Sequence, residues 1–561
     1  MDNLLESTCS FPRVETMFIA GLKEVTGSCT ALKVLTSDDQ VRWYLVDVGA
    51  EQGEYEWRNL VNALRGGEIM AVFLTHAHYD HVGGLALLYK MGFRGKIYVS
   101  EVTSRLITAM LYDGAKVSAQ QTLGAVGHTK KLYQQMARHL NKKLMNATTH
   151  HDMMNFESAL SQFADAELEP LYTKEDVEEV LKLVEVVDVN RYVEVADGVK
   201  TRFMPTTHQN GACRVELHFT DLPTGGTYNM AFSGDIGPND SLLYKQKFPY
   251  TSKKIDCFML EVLHGVRPPE ETLNTSIKRL TEIIRKGIRQ KKHIVLAGFS
   301  LDRNAMLVYL MNELRKQGTY VHLVIDSPLT MCQLANYQST YMSNRFWFKN
   351  LGDAPFDDEK FEVIKNYRAH AFSVSQGEAP RVIITASATG SGGRIVDYFE
   401  HGIQSPDYVF VFCGWSSPDS PSSILHDAKY GQIVEMPNGT YVKRCKTYRL
   451  HGFSSHGYLP EMVEAVLDYP ECGTLILNHA RNDDREAVAE EFKKFYDGNI
   501  VIPEFYDTYI FSKDGVEVVE HEQALRDFDP IIDRTAVQMV LAVEEDDGEE
   551  DDDFVNGELF P

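Results

Sequence analysis

A chain of 561 residues, 43% of them apolar, is long enough for two or three domains with ordinary hydrophobic cores. Its net charge of −24 is unfavourable for binding nucleic acid, since phosphate binding relies on Lys and Arg, although it leaves room for a local basic groove or a metal site. We expect no membrane span and no secretory signal, because apolar runs of eighteen residues are absent, and the eight singly scattered cysteines indicate a cytoplasmic protein without cysteine-ligated zinc.

Three short strands are predicted near the start of the chain, at residues 14–20, 29–35 and 41–49. Asp47 lies at the end of the third strand, just before Gly49. A buried carboxylate at this position must be paired or hydrogen-bonded, and holding a metal-bound histidine in place is one way to achieve that. A turn-forming aspartate is the other interpretation that this stretch allows.

The next segment concentrates metal-binding side chains on one short turn. Its three imidazoles and one carboxylate are His76, His78, Asp80 and His81. The turn follows the apolar run 70–74, a predicted strand, and leads through two glycines into a predicted helix at 85–90. Nitrogen and oxygen ligands without a thiolate are typical of hydrolytic rather than structural zinc. A solvated histidine-rich loop is the alternative, but the position directly after a strand favours a metal site.

Two later strands end in a similar way. Residues 103–187 are predicted to be mainly helical, and strand character then returns at 200–205 and at 228–234. The first of these strands leads to His208 and the second to Asp235. A strand followed by a ligand-type residue and a glycine is what a metal site built from several strand ends requires. By itself, His208 would be an ordinary loop histidine.

From about residue 254 the chain alternates strands of four to eight residues with longer helices, which predicts a mostly parallel sheet. Ligands of such sheets bind beyond the carboxyl ends of the strands. Polar residues and a glycine-rich turn lie at these ends: Glu261, Asp326, Ser387, Gly392 and Gly393. Further along, His456 follows one strand-like segment and His479 ends another.

The C-terminal region ends in an acidic block, with nine acids among residues 544–553. A block of like charges is typical of a disordered, solubilising tail. A docking segment for a protein partner, or a mimic of nucleic acid, is the alternative interpretation.

Taken in order, these segments resemble the metallo-β-lactamase fold and, within it, the β-CASP nuclease branch. The matching motifs are His-x-His-x-Asp-His at 76–81, Ser-Gly-Asp at 233–235, Asp-Ser-Pro at 326–328, Phe-Ser-Ser-His at 453–456, and His479. The resemblance implies an α/β fold, a metallo-β-lactamase αββα sandwich with an inserted α/β β-CASP domain. It divides the chain into the first part of the sandwich (1–250), the insertion (251–440), the second part of the sandwich (441–520), and a C-terminal extension with the acidic tail (521–561).

The resemblance also implies two Zn²⁺ ions, with Mn²⁺ as the alternative metal. One ion would be held by His76, His78, His208 and Asp235. The other would be held by Asp80, His81, Asp235 and His479, so that Asp235 bridges the pair. A hydroxide activated by both metals would attack phosphorus. Catalytic roles are implied for Asp80, His456 and Glu261: His456 would protonate the leaving ribose oxygen, and Glu261 would orient His456 or tune its pKa.

The implied activity is that of a zinc-dependent ribonuclease, which hydrolyses single-stranded RNA between the two domains. A histidine at position 479 resembles the RNA-processing members, whereas DNA-repair relatives tend to carry an apolar residue there. The expected substrate contacts are Arg303, Ser387, Gly392 and Gly393. The groove departs from the family pattern, however, because the segment 302–306 keeps only the arginine of Gly-Arg-x-Gln-Glu.

The altered groove and the acidic surface leave other functions open. One is hydrolysis of DNA, or of a small phosphodiester or ester, on the same di-zinc centre. Another is a non-catalytic scaffold in an RNA-processing complex, which predicts decayed ligands, whereas all seven ligand positions are filled here. The sequence sets neither the cutting mode nor the oligomeric state, so a homo-oligomer stays open.

Overall fold

The computed structural model describes residues 14–20, 27–50, 69–119, 172–222, 226–245, 254–343, 347–357, 361–504, 508–512 and 515–519. The middle of the helical stretch predicted at 103–187 lies outside these ranges, and so does the acidic tail. Within the described ranges, no helix combines the length and the apolar character needed to cross a bilayer.

The strands, in chain order, are β1 (Val14–Ala20), β2 (Cys29–Leu35), β3 (Val41–Val46), β4 (Ile69–Phe73), β5 (Lys96–Ser100), β6 (Val184–Val187), β7 (Tyr192–Ala196), β8 (Val199–Pro205), β9 (Cys213–Phe219), β10 (Tyr228–Phe232), β11 (Lys254–Glu261), β12 (His293–Ala297), β13 (Leu323–Asp326), β14 (Glu362–Val363), β15 (Arg381–Thr385), β16 (Tyr408–Phe412), β17 (Ile433–Met436), β18 (Gly439–Val442), β19 (Lys446–Arg449), β20 (Glu471–Asn478), β21 (Asn499–Val501), β22 (Thr508–Ser512) and β23 (Gly515–Val519).

The helices are α1 (Tyr79–Val82), α2 (Leu85–Lys90), α3 (101–119), α4 (Lys174–Leu181), α5 (Leu273–Arg289), α6 (Arg303–Lys316), α7 (Pro328–Ser343), α8 (Tyr367–Gln376), α9 (Ile395–Gly402), α10 (Pro421–Asp427), α11 (Leu459–Leu467) and α12 (Asn482–Phe492).

Two mixed sheets face each other and form a sandwich. The first has the strand order β23-β22-β1-β2-β3-β4-β5-β6, and the second has the order β21-β20-β11-β10-β9-β8-β7. Tyr44 and Phe73 belong to the first sheet, and Phe219 belongs to β9 of the second. The centroid of the Tyr44 ring lies 6.4 Å from that of Phe73 and 5.9 Å from that of Phe219. The core of the sandwich therefore lies between the two sheets.

The strand β11 contains a continuous apolar run, residues 257–260, because both of its faces are buried. Cys257 and Met259 face the core between the sheets, whereas Phe258 and Leu260 pack against the helices α11 and α12 on the outer face. A parallel strand that is covered on both faces needs apolar residues at every position. β11 pairs in parallel with both β10 and β20.

The inserted region has its own sheet, with the order β14-β13-β15-β12-β16-β19. All of its neighbouring strands are parallel, as the alternation of strands and helices predicted. One face packs on α9 through residues such as Phe399, and the other packs on α5 and α6. The carboxyl ends of β12 and β16 lie side by side, because Ala297 pairs with Phe412.

The structure changes three details of the predicted organisation. Residues 184–187 form a strand rather than a helix, because Val184–Val187 pairs in parallel with β5. The strands β7 and β9 were not predicted. The predicted domain boundaries at 251 and 441 also differ from the sheets. β11, which follows residue 251, belongs to the second sheet of the sandwich, and β19, which follows residue 441, belongs to the sheet of the insertion.

Candidate metal centre

The turn that carries most of the histidines is packed directly on the end of β3. The amides of Ser28 and Val48 donate to the carbonyl oxygens of Asp80 (2.7 Å) and His81 (2.8 Å). A side chain at Gly49 would place its Cβ only 1.7 Å from the carbonyl oxygen of Asp80. Glycine at position 49 is therefore needed for the turn to approach this closely.

A first group of ligand-type atoms gathers where β4, β8 and β10 end: His76 Nε2, His78 Nδ1, His208 Nε2 and Asp235 Oδ2. His78 Nδ1 lies 3.1 Å from His76 Nε2 and 2.9 Å from His208 Nε2. Asp235 Oδ2 lies 3.5 Å from His76 Nε2 and 3.4 Å from His208 Nε2. Four potential ligands from three separate segments thus surround one point.

A second group lies on the other side of the Asp235 carboxylate. Asp235 Oδ1 is 3.3 Å from His81 Nε2 and 3.7 Å from His479 Nε2. Asp80 Oδ2 lies 3.9 Å from each of these two imidazole nitrogens. Asp235 therefore presents one carboxylate oxygen to each group.

Both groups have the chemistry and the spacing of metal sites. Ligand atoms bound tetrahedrally at about 2.0–2.2 Å from an ion lie about 3.3–3.6 Å from one another, and the distances here run from 2.9 to 3.9 Å around that range. Three of the ligand atoms are buried and make no hydrogen bond within the described residues: His81 Nε2, Asp235 Oδ1 and His479 Nε2. Buried polar atoms without a partner are unfavourable, and a metal ion would satisfy all three. The residues present fit a pair of divalent ions.

A set of hydrogen bonds fixes which nitrogen of three of the imidazoles faces the centre. His81 Nδ1 lies 2.7 Å from Asp47 Oδ2, which also accepts from the Thr75 hydroxyl at 2.8 Å. The Thr75 hydroxyl in turn lies 2.9 Å from His76 Nδ1. His208 Nδ1 donates to the carbonyl oxygen of Ser455 at 2.9 Å. In all three histidines Nδ1 is engaged, so Nε2 keeps its lone pair for an ion.

The pKa values reflect burial of many titratable groups in a small space. Burial lowers the pKa of His76 and His78 well below the usual value, and lowers that of His208 to about 4. Burial alone would raise the pKa of Asp235, but the surrounding imidazoles, His81 first, lower it well below its usual value. The first group therefore offers neutral imidazoles beside an ionised carboxylate, which are the forms that bind metal. At His81, burial is outweighed by the charges of the neighbouring aspartates, Asp235 first, which raise the pKa of this histidine well above its usual value.

Next to this centre, His456 and Glu261 form a hydrogen-bonded pair. His456 Nδ1 lies 2.7 Å from Glu261 Oε1 and 3.8 Å from Asp235 Oδ2. Glu261 Oε2 accepts from the amide of Ile236 at 2.6 Å. Burial, and then the charge of Asp235, raises the pKa of Glu261 well above its usual value. The His456 side chain is 20% exposed, so its ring borders the open side of the centre.

The predicted substrate contacts lie farther from the ligand groups. Arg303 is buried, and its guanidinium donates to the carbonyl oxygen of Cys413 (3.2 Å) and to the hydroxyl of Ser455 (3.3 Å). The hydroxyl of Ser387 forms a hydrogen bond with the hydroxyl of Thr389, just past the end of β15. Gly392 and Gly393 follow in the same loop, and no contact within the described residues joins this loop to the ligands. The substrate-binding role of these four residues stays a prediction.

Sequence reasoning missed Thr75 and Ser455 as supports of the ligands. Thr75 directly precedes His76, and Ser455 directly precedes His456, so their positions in the motifs were the only available signal. A cavity of about 220 Å³ opens beside the centre, bordered by His208, Ser455 and Asp302. It lies where the sandwich meets the insertion.

Comparison with known families identifies this arrangement. Residues 38–243 match the metallo-beta-lactamase superfamily, and residues 305–425 match the Beta-Casp domain. The chain belongs to the metallo-β-lactamase superfamily and carries a β-CASP domain. It is therefore a member of a family of metal-dependent hydrolases, as the motifs predicted.

Similar proteins cover most of this β-CASP chain at low identity. Ribonuclease TTHA0252 of Thermus thermophilus is 23% identical over 471 residues, which are 82% of this chain and 92% of that protein. Transcription termination factor FttA of Methanococcus maripaludis is 23% identical over 472 residues, 80% of this chain and 64% of that protein. FttA of Methanocaldococcus jannaschii is 21% identical over 506 residues, which are 86% of this chain and 70% of that protein. The chain thus spans only about two thirds of these two FttA proteins.

Proposed function

We propose that this protein is a zinc-dependent ribonuclease that hydrolyses phosphodiester bonds of single-stranded RNA. The observation that carries the proposal is the Asp235 carboxylate, whose two oxygens face two separate groups of ligand atoms. A relative that is named a ribonuclease and covers 82% of this chain supports RNA as the substrate.

In this proposal the first ion is held by His76, His78, His208 and Asp235, and the second by Asp80, His81, His479 and Asp235. When bound, the ions activate water for attack and offset negative charge on the phosphate. An all-nitrogen and oxygen ligand set favours Zn²⁺ and is also acceptable to Mn²⁺. Asp47 holds His81 in the tautomer that leaves Nε2 free.

His456 acts as the general acid in the same proposal. Its Nδ1 shares a proton with Glu261 Oε1, and no hydrogen bond within the described residues engages its Nε2. This nitrogen can donate a proton to the leaving ribose oxygen while Nδ1 takes up the proton that it shares with Glu261, whose pKa burial raises well above its usual value. Glu261 also holds the ring in position. Glu261 is itself fixed by the amide of Ile236.

The test is cleavage of labelled, unstructured RNA and of matched DNA by the full chain in Zn²⁺ or Mn²⁺ buffer. Wild-type protein should cut RNA, and His456→Ala should cut it about 10²-fold or more slowly, as expected when a general acid is lost. Metal content, measured by elemental analysis, should be the same in both proteins. His451→Ala is the matched control, since His451 lies in the same segment and pairs with Glu270.

Each other result points to a different function. Loss of metal from His456→Ala would make His456 a ligand rather than an acid. Cleavage of bis(p-nitrophenyl) phosphate without cleavage of RNA would indicate a small-molecule phosphodiesterase. A metal-loaded protein that cuts no phosphodiester would be a non-catalytic scaffold.

A further inference from the structure

Two large aromatic side chains are exposed at the carboxyl edge of the inserted sheet. Phe299 follows β12 and is 43% exposed, and Trp415 follows the neighbouring strand β16 and is 72% exposed. Within the described residues, neither ring packs against another aromatic ring. Leaving such large apolar side chains partly in water forgoes some of the free energy that their burial would release. Their exposure side by side at a strand edge therefore calls for an occupant.

A buried arginine connects this edge to the metal centre. The Arg303 guanidinium lies 5.9 Å from the Phe299 ring and donates to the carbonyl oxygen of Cys413, two residues before Trp415. It also donates to the hydroxyl of Ser455, whose carbonyl oxygen accepts from His208. Arg303 thus links the segments that carry the two aromatic rings to Ser455, which directly precedes the proposed general acid.

The backbone that carries Trp415 is held close to this arginine. Gly414 has φ of 152°, and a Cβ on it would lie 3.0 Å from Arg303 Nη1 and 3.6 Å from Phe299 Cε2. On the other side, the hydroxyl of Ser416 is buried and accepts from Arg449 Nη2 at 3.2 Å. The backbone on both sides of the indole is therefore held in place, so binding a partner has to order mainly the Trp415 side chain.

We infer that Phe299 and Trp415 form an aromatic platform on which unpaired bases of the RNA substrate stack beside the scissile phosphate. The inference rests on the proposed function and specifies how that substrate is recognised. A net charge of −24 makes contacts to phosphate less favourable over the protein as a whole, so contacts to the bases gain importance. Stacking on an aromatic face needs no positive charge, and every base can provide it.

The first test uses binding. Stacking should quench the fluorescence of Trp415 when a single-stranded RNA oligonucleotide is added to the full chain after metal removal by a chelator, which leaves the RNA uncut. The chain has three other tryptophans, Trp43, Trp57 and Trp347. Their contribution cancels in the difference between wild type and Trp415→Phe, which therefore reports the exposed indole. We expect Trp415→Ala and Phe299→Ala each to weaken RNA binding roughly 5- to 150-fold, the range for loss of one stacked base, and Trp415→Phe to retain most of the affinity.

The second test separates stacking from a general defect. The kcat/KM of the metal-loaded wild-type protein should be higher for an intact RNA than for the same RNA with abasic nucleotides beside the cleavage site. Trp415→Ala should lose this preference, mainly through KM. Tyr320→Ala is the matched control, because Tyr320 is 78% exposed and precedes β13, at the opposite end of the same sheet. It should keep both the affinity and the preference.

The possible results are distinct. Equal loss on intact and abasic RNA would mean that Trp415 supports the fold of the loop, and the inference would fail. Unchanged binding in both alanine variants would also overturn it and would leave the platform to a protein partner, while ribonuclease activity in the same assay would stand. Absence of any RNA cleavage by wild type would count against the proposed function, and quenching of Trp415 would then still test the platform.

Discussion

At the scale of single residues, the centre depends on which nitrogen of each imidazole is protonated. An imidazole can bind a metal only through a nitrogen with a free lone pair, so its other nitrogen must hold the proton. Asp47 determines which nitrogen of His81 holds the proton. A carboxylate can only accept a hydrogen bond, and His81 Nδ1 lies 2.7 Å from Asp47 Oδ2, so the proton is on Nδ1. The position of Asp47 is itself fixed by the amide and hydroxyl of Thr75.

Asp47→Asn should therefore weaken metal binding while changing very little volume. The amide of asparagine would donate toward His81 Nδ1, which favours the tautomer that places the proton on Nε2, facing Asp235. We expect the affinity for Zn²⁺ to fall about 10- to 100-fold, the usual effect of losing a partner behind a metal ligand. Competition with a chelator of known affinity measures this directly.

Asp188→Asn provides the control for that experiment, since Asp188 is exposed and pairs only on the surface with Arg191. Equal zinc affinity of Asp47→Asn and wild type would show that the tautomer of His81 is not set by Asp47.

At the scale of elements, strands with an apolar pattern were predicted and one strand with buried charges was missed. β4 is apolar along its whole length, and its predicted position, 70–74, agrees with the structure to within one residue. β9 carries Arg, Glu and His at alternate positions and so resembles a half-exposed strand or a loop in the sequence. Its charges are buried because partners on other strands and helices neutralise them, which no local pattern reveals.

Glu216 is the central residue of that buried network. Its carboxylate accepts from Arg202 Nη2 at 2.8 Å and from the hydroxyl of Tyr469 at 2.8 Å. Glu216→Ala would leave the buried guanidinium of Arg202 without its partner, and we expect the free energy of unfolding to fall by about 3–5 kcal/mol. Urea unfolding followed by circular dichroism measures the change.

An exposed ion pair provides the control for the buried pair of Glu216 and Arg202. Glu185→Ala removes the pair with Lys96, whose side chains are both more than half exposed, and should cost less than about 1 kcal/mol. Similar losses for Glu216→Ala and Glu185→Ala would mean that burial of the network adds nothing to stability.

At the scale of the whole molecule, the sequence predicted the ligands that lie close together in the chain. It did not show by itself how ligands from distant segments come together. His76 to His81 are adjacent in the chain, so their spacing alone indicated a metal site. His208, Asp235 and His479 are separated by long segments: the repeated strand ends suggested His208 and Asp235, and the resemblance to a family grouped all three. The burial of Arg303 could not be predicted either, because it follows from the contact between the insertion and the loop that holds Ser455.

The same contact region contains a buried carboxylate that joins the sandwich to the insertion. Asp302 accepts hydrogen bonds from the hydroxyls of Tyr244, on the sandwich side, and Tyr337, on α7. Burial raises the pKa of Asp302 to about 6. In the unfolded chain an aspartate ionises near pH 3.9, so the folded state disfavours the charged form between these two values and above them.

Asp302→Asn should therefore stabilise the protein at neutral pH. The wild-type aspartate contributes most stability below about pH 4 and loses it as the pH rises through about 6, whereas asparagine stays neutral and still accepts from both tyrosines. A pKa difference of about two units corresponds to a gain of up to about 3 kcal/mol at pH 7.5, and the gain should shrink as the pH falls toward 4. Urea unfolding of both proteins at pH 4.5, 6 and 7.5 tests this, and a gain that is equal at all three values would mean that ionisation of Asp302 does not contribute to the stability of the interface.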